Sequence, residues 1–222
     1  MNQALNKASE FAGRKDIVGR SPAPASIGIS SEAVAPASTP FTHFDEWFSE
    51  AVTLGVAEPN AMALATASAS GMPSARIVLL HSFSSSGFVF FTGRESRKYC
   101  EIDANPKASI LFYWKELRQQ IRIEGTLAEL PADFTARKLK DAFAGTSAER
   151  YGAQSANEYL AKGFRNRTRL WANDKNADST RWCAFELSPA SFEFWEDRTD
   201  GTSKRKFFLR TDAGWKTLDK NS

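Results

Sequence analysis

Cysteine and histidine are scarce in this chain: Cys100, Cys183, His43 and His81 are all there are in 222 residues. Neither cysteine stands in a CxxC pair, which argues against a disulfide framework or a zinc site and fits a reducing compartment. Two histidines leave little material for a histidine metal cluster or a serine triad. The glycine-rich dinucleotide fingerprint, the phosphate-binding P-loop, HExxH and GxSxG are all missing, which removes the enzyme classes they mark. No apolar run approaches a membrane span, and the first residues lack the apolar stretch of a secretory signal. A net charge of +3, from 29 basic and 26 acidic residues, is too small and too evenly spread for a nucleic-acid binder. These absences predict a soluble cytoplasmic protein without nucleic-acid, membrane or metal partners, whose chemistry rests on a cofactor held by other residue types.

What is present suffices for one domain: 42% hydrophobic and 12% aromatic content can build a core. Residues 1–40 are rich in Ala, Ser, Gly and Pro, hold four of the nine prolines and show no sustained period, so they read as a mobile tail. The folded domain is expected over 41–222. Thr42-His43-Phe44-Asp45 resembles a helix capping box, and Phe44, Trp47, Phe48, Ala51 and Leu54 recur at helical spacing behind it. From Asn60 the period becomes two. Strands are expected around Met62–Thr66, Ser74–Phe83, Phe88–Thr92, Ala108–Trp114 and Gln119–Leu130. Ser96 should cap a helix that ends before Pro106, with further helices at 131–143 and 156–171. Strands return at Trp182–Leu187, Phe192–Glu196 and Lys206–Thr211. Many short antiparallel strands with a few helices predict an α+β, mainly β, barrel-like domain.

The informative cluster is Ser96-Arg97-Lys98, where a strand ends at Thr92 and a helix begins. A helix N-terminus offers unpaired N–H groups and partial positive charge, so Thr92, Ser96, Arg97 and Lys98 together make a phosphate cradle. The plainer alternative is a capped helix followed by solvated basic residues. Arg76, on a strand face with Val78 and Leu80, either ends at the sheet edge or pairs with an anion. Gln119 and Gln120 point to opposite faces of their strand, so just one of them can meet a ligand there.

Read in order, several segments resemble the pyridoxamine 5'-phosphate oxidase family of flavin mononucleotide (FMN) enzymes. They are Glu58-Pro59-Asn60-Ala61-Met62-Ala63-Leu64-Ala65-Thr66, Arg76-Ile77-Val78-Leu79-Leu80, Phe90-Phe91-Thr92, Ser96-Arg97-Lys98, Asn105-Pro106, Gln119-Gln120-Ile121, Gln154-Ser155 and Phe192-Glu193-Phe194-Trp195. The closing stretch from Arg205 to Trp215 extends the likeness over most of 44–218. The resemblance implies an FMN-binding split β-barrel with flanking helices that dimerises, with FMN in clefts at the subunit interface. Carried over by position, Arg76, Arg97 and Lys98 would grip the phosphate, aided by Thr92 and Ser96 beside Phe91. Ile77, Val78 and Leu79 would run along the ring. Gln120, Gln154 and Ser155 would reach flavin atoms, and Trp195 and Arg205 would close the pocket. Arg205, or less simply Arg76, would stabilise the anionic reduced ring.

The resemblance breaks where the family's pyridoxal phosphate-forming members hold substrate. His81 replaces a lysine, no arginine is evident around Ala142-Phe143-Ala144-Gly145-Thr146, and Gly201-Thr202-Ser203 stands in place of Arg-Leu-His. Lys204, Arg205, Lys206 or Arg198 are the cations available to compensate. The expectation is therefore an FMN-dependent oxidoreductase of a small soluble metabolite, an unphosphorylated heterocycle, with His81 as an acid or base beside the flavin. A pyridoxamine or pyridoxine phosphate oxidase with rebuilt contacts, and a non-catalytic flavin- or haem-binding barrel, are the alternatives.

Overall fold

The computed structural model describes residues 39–143, 181–198 and 200–221. It opens with helix α1, Pro40–Thr53. The cap is Thr39 and not the expected Thr42: the Thr39 hydroxyl accepts from the Thr42 N–H at 3.2 Å. Pro40 follows in the first turn, where its fixed φ suits the helix and its missing N–H costs nothing. Eight strands follow, β1 (Ala61–Ala67), β2 (Pro73–Phe83), β3 (Phe88–Gly93), β4 (Lys107–Trp114), β5 (Gln119–Glu129), β6 (Trp182–Asp197), β7 (Ser203–Thr211) and β8 (Gly214–Asn221). Helix α2 (Arg97–Ala104) lies between β3 and β4, and α3 (Ala132–Phe143) follows β5. The helix expected at 156–171 lies outside the described residues.

The sheet runs β3-β2-β1-β4-β5-β6-β7-β8, and β3 also pairs with β6. That last antiparallel ladder closes β1–β6 into a six-stranded barrel, and β7 and β8 continue from β6 as a hairpin. The mainly-β α+β barrel expected from the alternation is the fold. Closure pairs the backbone donors that open edges would expose.

Two strand boundaries differ from the sequence reading. Ser188-Pro189 looks like a turn between two strands, yet β6 runs through it as one 16-residue strand. The register steps from Gly125↔Pro189 to Glu124↔Ser191, so Ala190 is a bulge, which lets a proline sit inside the strand. Gly125 makes this possible, since a Cβ there would lie 2.2 Å from the Ser188 carbonyl oxygen. The second difference is β8, which begins at Gly214, whose φ of 114° favours glycine.

The core is rich in phenylalanine. Phe44 of α1 meets Phe83, Phe88 and Phe112 edge-on at centroid distances of 4.8, 4.9 and 5.2 Å. The cross-strand row Arg76–Leu64–Ile110–Ile123–Phe192–Phe208 faces inward, and its five apolar members are at most 1% exposed. The next row, Ile77–Ala63–Leu111–Arg122–Glu193–Phe207, faces outward. No helix of the described residues is long and apolar enough to cross a membrane.

Candidate functional site

The expected cradle forms where β3 hands over to α2. Ser96 is the N-cap, its hydroxyl accepting from the Tyr99 N–H at 3.3 Å. Its oxygen lies 3.1 Å from the Thr92 hydroxyl, and the Lys98 ammonium donates to Thr92 at 3.0 Å. Burial, and then the nearby Arg76 charge, hold the Lys98 pKa below its ordinary value. A cation facing a hydroxyl and another cation is a place short of an anion.

Arg76 solves the problem of a charge in an inward row by meeting Glu101, a carboxylate 6% exposed. The Arg76 Nη2 donates to Glu101 at 2.8 Å and the Arg97 Nε donates to it at 2.7 Å. Thr66 and Ser74 add hydroxyl donors at 2.5 and 2.7 Å. The Thr66 and Ser74 hydroxyls, joined by Arg76 and Arg97, hold the Glu101 pKa down at about 2 against the opposing effect of burial. Three cations against one carboxylate leave the cradle with a net charge of two. The arginines do not share the work equally. Arg76 makes four hydrogen bonds, to Leu64, Thr66, Ser74 and Glu101, which leaves just its Nε–H of five donors. Arg97 is held by Nε alone among the described residues and its side chain is 72% exposed. Sequence reasoning missed Glu101, Ser74 and the role of Thr66. Their signals were the Arg97–Glu101 spacing of four and the hairpin register that sets Thr66 opposite Ser74.

A second group lies on the outward face. Gln120, Trp195 and Arg205 are direct cross-strand partners on β5, β6 and β7, so their side chains form one row. Gln119 points inward and donates to Glu50 of α1 at 3.3 Å, which leaves Gln120 as the glutamine on the outward face. Arg205 is steadied by Glu193, 3.4 Å away, which also pairs with Arg122. Ile77 and Leu79 flank Val78 on the opposite face, and Val78 packs against the core, so along a ring Val78 could offer only its backbone. Strands β1 and β4 separate β2 from β5, which sets about 14 Å of sheet between Leu79 and Gln120. Gln154 and Ser155 lie outside the described residues.

His81 packs edge-on to Phe91 with centroids 4.9 Å apart. Burial, and then Lys138 of α3, push its pKa down to about 4, so it is neutral at pH 7. Lys138, itself 5.8 Å over the Phe134 ring, is a cation that sequence reasoning missed. On β7, Lys204 and Lys206 pair in register with Glu196 and Phe194, on the face opposite Arg205. They look toward His43, whose pKa is lowered by burial and, against Glu46, by Lys206 and Lys204. Ser203 opens β7, while Gly201 and Thr202 form a turn in which Thr202 donates to Asp200. Arg198 is exposed beside that turn. Residues 144–146 are outside the described residues.

Comparison with known proteins places this architecture. A family model described as pyridoxamine 5'-phosphate oxidase matches residues 48–195. A pyridoxine/pyridoxamine 5'-phosphate oxidase of Bordetella pertussis is 39% identical over 201 residues, 88% of this chain and 94% of that protein. Among solved structures, PhzG from Burkholderia lata, in complex with tetrahydrophenazine-1-carboxylic acid, is 28% identical with a TM-score of 0.64, covering 84% of this chain and 94% of that one. An FMN-binding protein related to pyridoxamine 5'-phosphate oxidase from Nostoc punctiforme has the same fold at 18% identity and a TM-score of 0.61, covering 84% and 99%. With the family model matched over residues 48–195 and the Bordetella protein 39% identical across 88% of this chain, the chain belongs to the pyridoxamine 5'-phosphate oxidase family.

Proposed function

We propose that this chain binds FMN and is an FMN-dependent oxidoreductase of a small soluble metabolite, a heterocycle without a phosphate. The observation that carries the cofactor reading is the cradle with its net charge of two. A phosphate monoester carries about 1.5–2 negative charges near neutral pH, so the donor set fits it. Arg97, Lys98, Thr92 and Ser96 would hold that phosphate, with Arg76 fixed beneath. Ile77 and Leu79 would cover the ring, and Gln120, Trp195 and Arg205 would reach it from a partner subunit. The exposed Ile77 and Tyr113, 67% and 58% accessible on the outward face, support such a homodimer. Bound FMN would supply two-electron redox chemistry. Arg205 would place a positive charge near the ring, and neutral His81 would accept a proton. The free Cys100 and Cys183 fit a reducing cytoplasm.

The substrate reading rests on charge. Neutral His81 brings no cation where the family's phosphate-binding members have lysine, and Lys204 and Lys206 face away from Arg205. Each charge-assisted bond lost from a phosphate costs about 1.5–3 kcal/mol. The ligand named for PhzG is likewise a carboxylic acid without phosphate. One observation favours a second reading, a pyridoxine phosphate oxidase: Lys138 brings a cation close to His81, and the Bordetella relative carries that name. The test is the absorbance of the purified protein near about 450 nm, where flavin absorbs, followed by turnover assays. Bleaching by unphosphorylated heterocycles is expected. Efficient aldehyde and peroxide formation from pyridoxine 5'-phosphate would overturn the substrate reading, and a colourless protein that takes up no FMN would overturn both.

A further inference from the structure

We propose that Glu101 is the positioning residue of the phosphate cradle: it occupies one edge of each arginine, so that Arg97 meets the ligand with its two terminal nitrogens while Arg76 stays anchored. This rests on reading the cradle as the FMN phosphate site. A carboxylate beside a phosphate site is at first sight a liability, since it repels the ligand. Its burial and its partners show what it returns. Oε2 accepts from Thr66 of β1 and Arg76 of β2 at 2.5 and 2.8 Å, while Oε1 accepts from Ser74 of β2 and Arg97 of α2 at 2.7 Å each. One side chain thus ties two strands to the helix and sets both guanidinium planes before any ligand arrives.

The division of donors follows from this geometry. Arg97 gives its Nε to Glu101, and its Nη1 and Nη2 have no partner among the described residues, so a bidentate edge is left to meet phosphate oxygens. Freezing a long side chain in its bound rotamer removes an ordering cost from ligand binding. The opposite view, that Glu101 merely dilutes the positive field, makes the opposite prediction. Positioning requires that neutralising Glu101 weaken FMN binding, and dilution requires that it strengthen it.

The experiment titrates the full chain, stripped of flavin, with FMN and with riboflavin, which lacks the phosphate, by quenching of flavin fluorescence. Wild type, Glu101→Gln, Arg97→Ala and the double variant are compared. Glu101→Gln keeps one acceptor oxygen and sets an amide N–H₂ against the other arginine, where an acceptor is needed. Its FMN Kd should rise by about tenfold or more, the loss of one charge-assisted bond, with riboflavin affinity unchanged. Because Glu101 acts through Arg97, the double variant should bind FMN within about twofold of Arg97→Ala alone. Tighter or unaltered FMN binding by Glu101→Gln, equal losses for both flavins, or multiplicative losses in the double variant would each overturn the proposal. If wild type itself fails to prefer FMN over riboflavin, the cofactor reading falls instead. Should Glu101→Gln not fold, Glu101→Asp keeps the charge but shortens the reach, and the same comparison applies, with preserved FMN preference overturning the idea.

Discussion

Truncating Arg97 and Lys98 together to alanine separates binding from folding. Arg97 is mostly exposed and its partner Glu101 would keep Thr66, Ser74 and Arg76. Among the described residues Lys98 bonds only the Thr92 hydroxyl, which retains Ser96. No buried group is orphaned, so stability should change by about 0.5 kcal/mol or less, or about 1–2 °C in Tm for a chain of this size. Binding should respond very differently. At least two charge-assisted bonds to a phosphate disappear, each worth about 1.5–3 kcal/mol. The sum, about 3–6 kcal/mol, corresponds to roughly two to four orders of magnitude in FMN affinity. Fluorescence titration with FMN, run beside thermal unfolding of the flavin-free protein, measures both quantities. Retained FMN affinity in the double variant would refute the assignment of the cradle. A loss of affinity matched by a large fall in Tm would show that these residues hold the fold and not the ligand.

Four further outcomes follow from the same geometry. The folded-state pKa of His81, about 4 against an ordinary 6.5, means the folded protein binds fewer protons, so its contribution to stability is complete above pH 6.5 and drains away as pH falls toward 4. The total is about 3 kcal/mol. Urea unfolding at stepped pH should show this fall, and His81→Gln should flatten it; a slope unaffected by the substitution would contradict the burial argument. Glu101 acts in a lower window, its contribution present above about pH 4.5 and lost as pH drops through about 2. Gly125→Ala forces a Cβ to within 2.2 Å of the Ser188 carbonyl oxygen, so calorimetry should find Tm lowered. Overpacking of this kind costs about 1–3 kcal/mol, or about 2–12 °C, and an undiminished Tm would mean the strands part there freely. Ile77→Asp should convert the proposed dimer into a 24.6 kDa monomer by light scattering, with FMN affinity falling alongside; a wild-type protein that is already monomeric would remove the dimer.

Much of the site was legible because its signals are local. Ser96-Arg97-Lys98 after a β-patterned run declares a capped helix end with two cations, and Ser96 caps α2 there with Lys98 turned to Thr92. The alternation Met62, Leu64, Thr66 declares an inward face, which is how β1 is buried. Where the reading stopped short, the deciding contact came from elsewhere in the chain. Thr39 outcompetes Thr42 as the cap because Pro40 fits only the first turn. Ser188-Pro189 has turn chemistry, but β5, about sixty residues earlier, carries the glycine that lets β6 run on past it. Glu101 looks like a solvated helix carboxylate until the hairpin brings Thr66, Ser74 and Arg76 over it.

By itself, then, the amino-acid order determined the mainly-β class and the capped helix end with Arg97 and Lys98 in its first turn, because periodicity and capping act over a few residues. Only the tertiary structure decided which guanidinium is anchored and which is presented, that Lys204 and Lys206 turn from Arg205, and that His81 is neutral. Those outcomes depend on burial and on charges brought together by strand closure, and neither exists until residues distant in sequence share a low-dielectric interior.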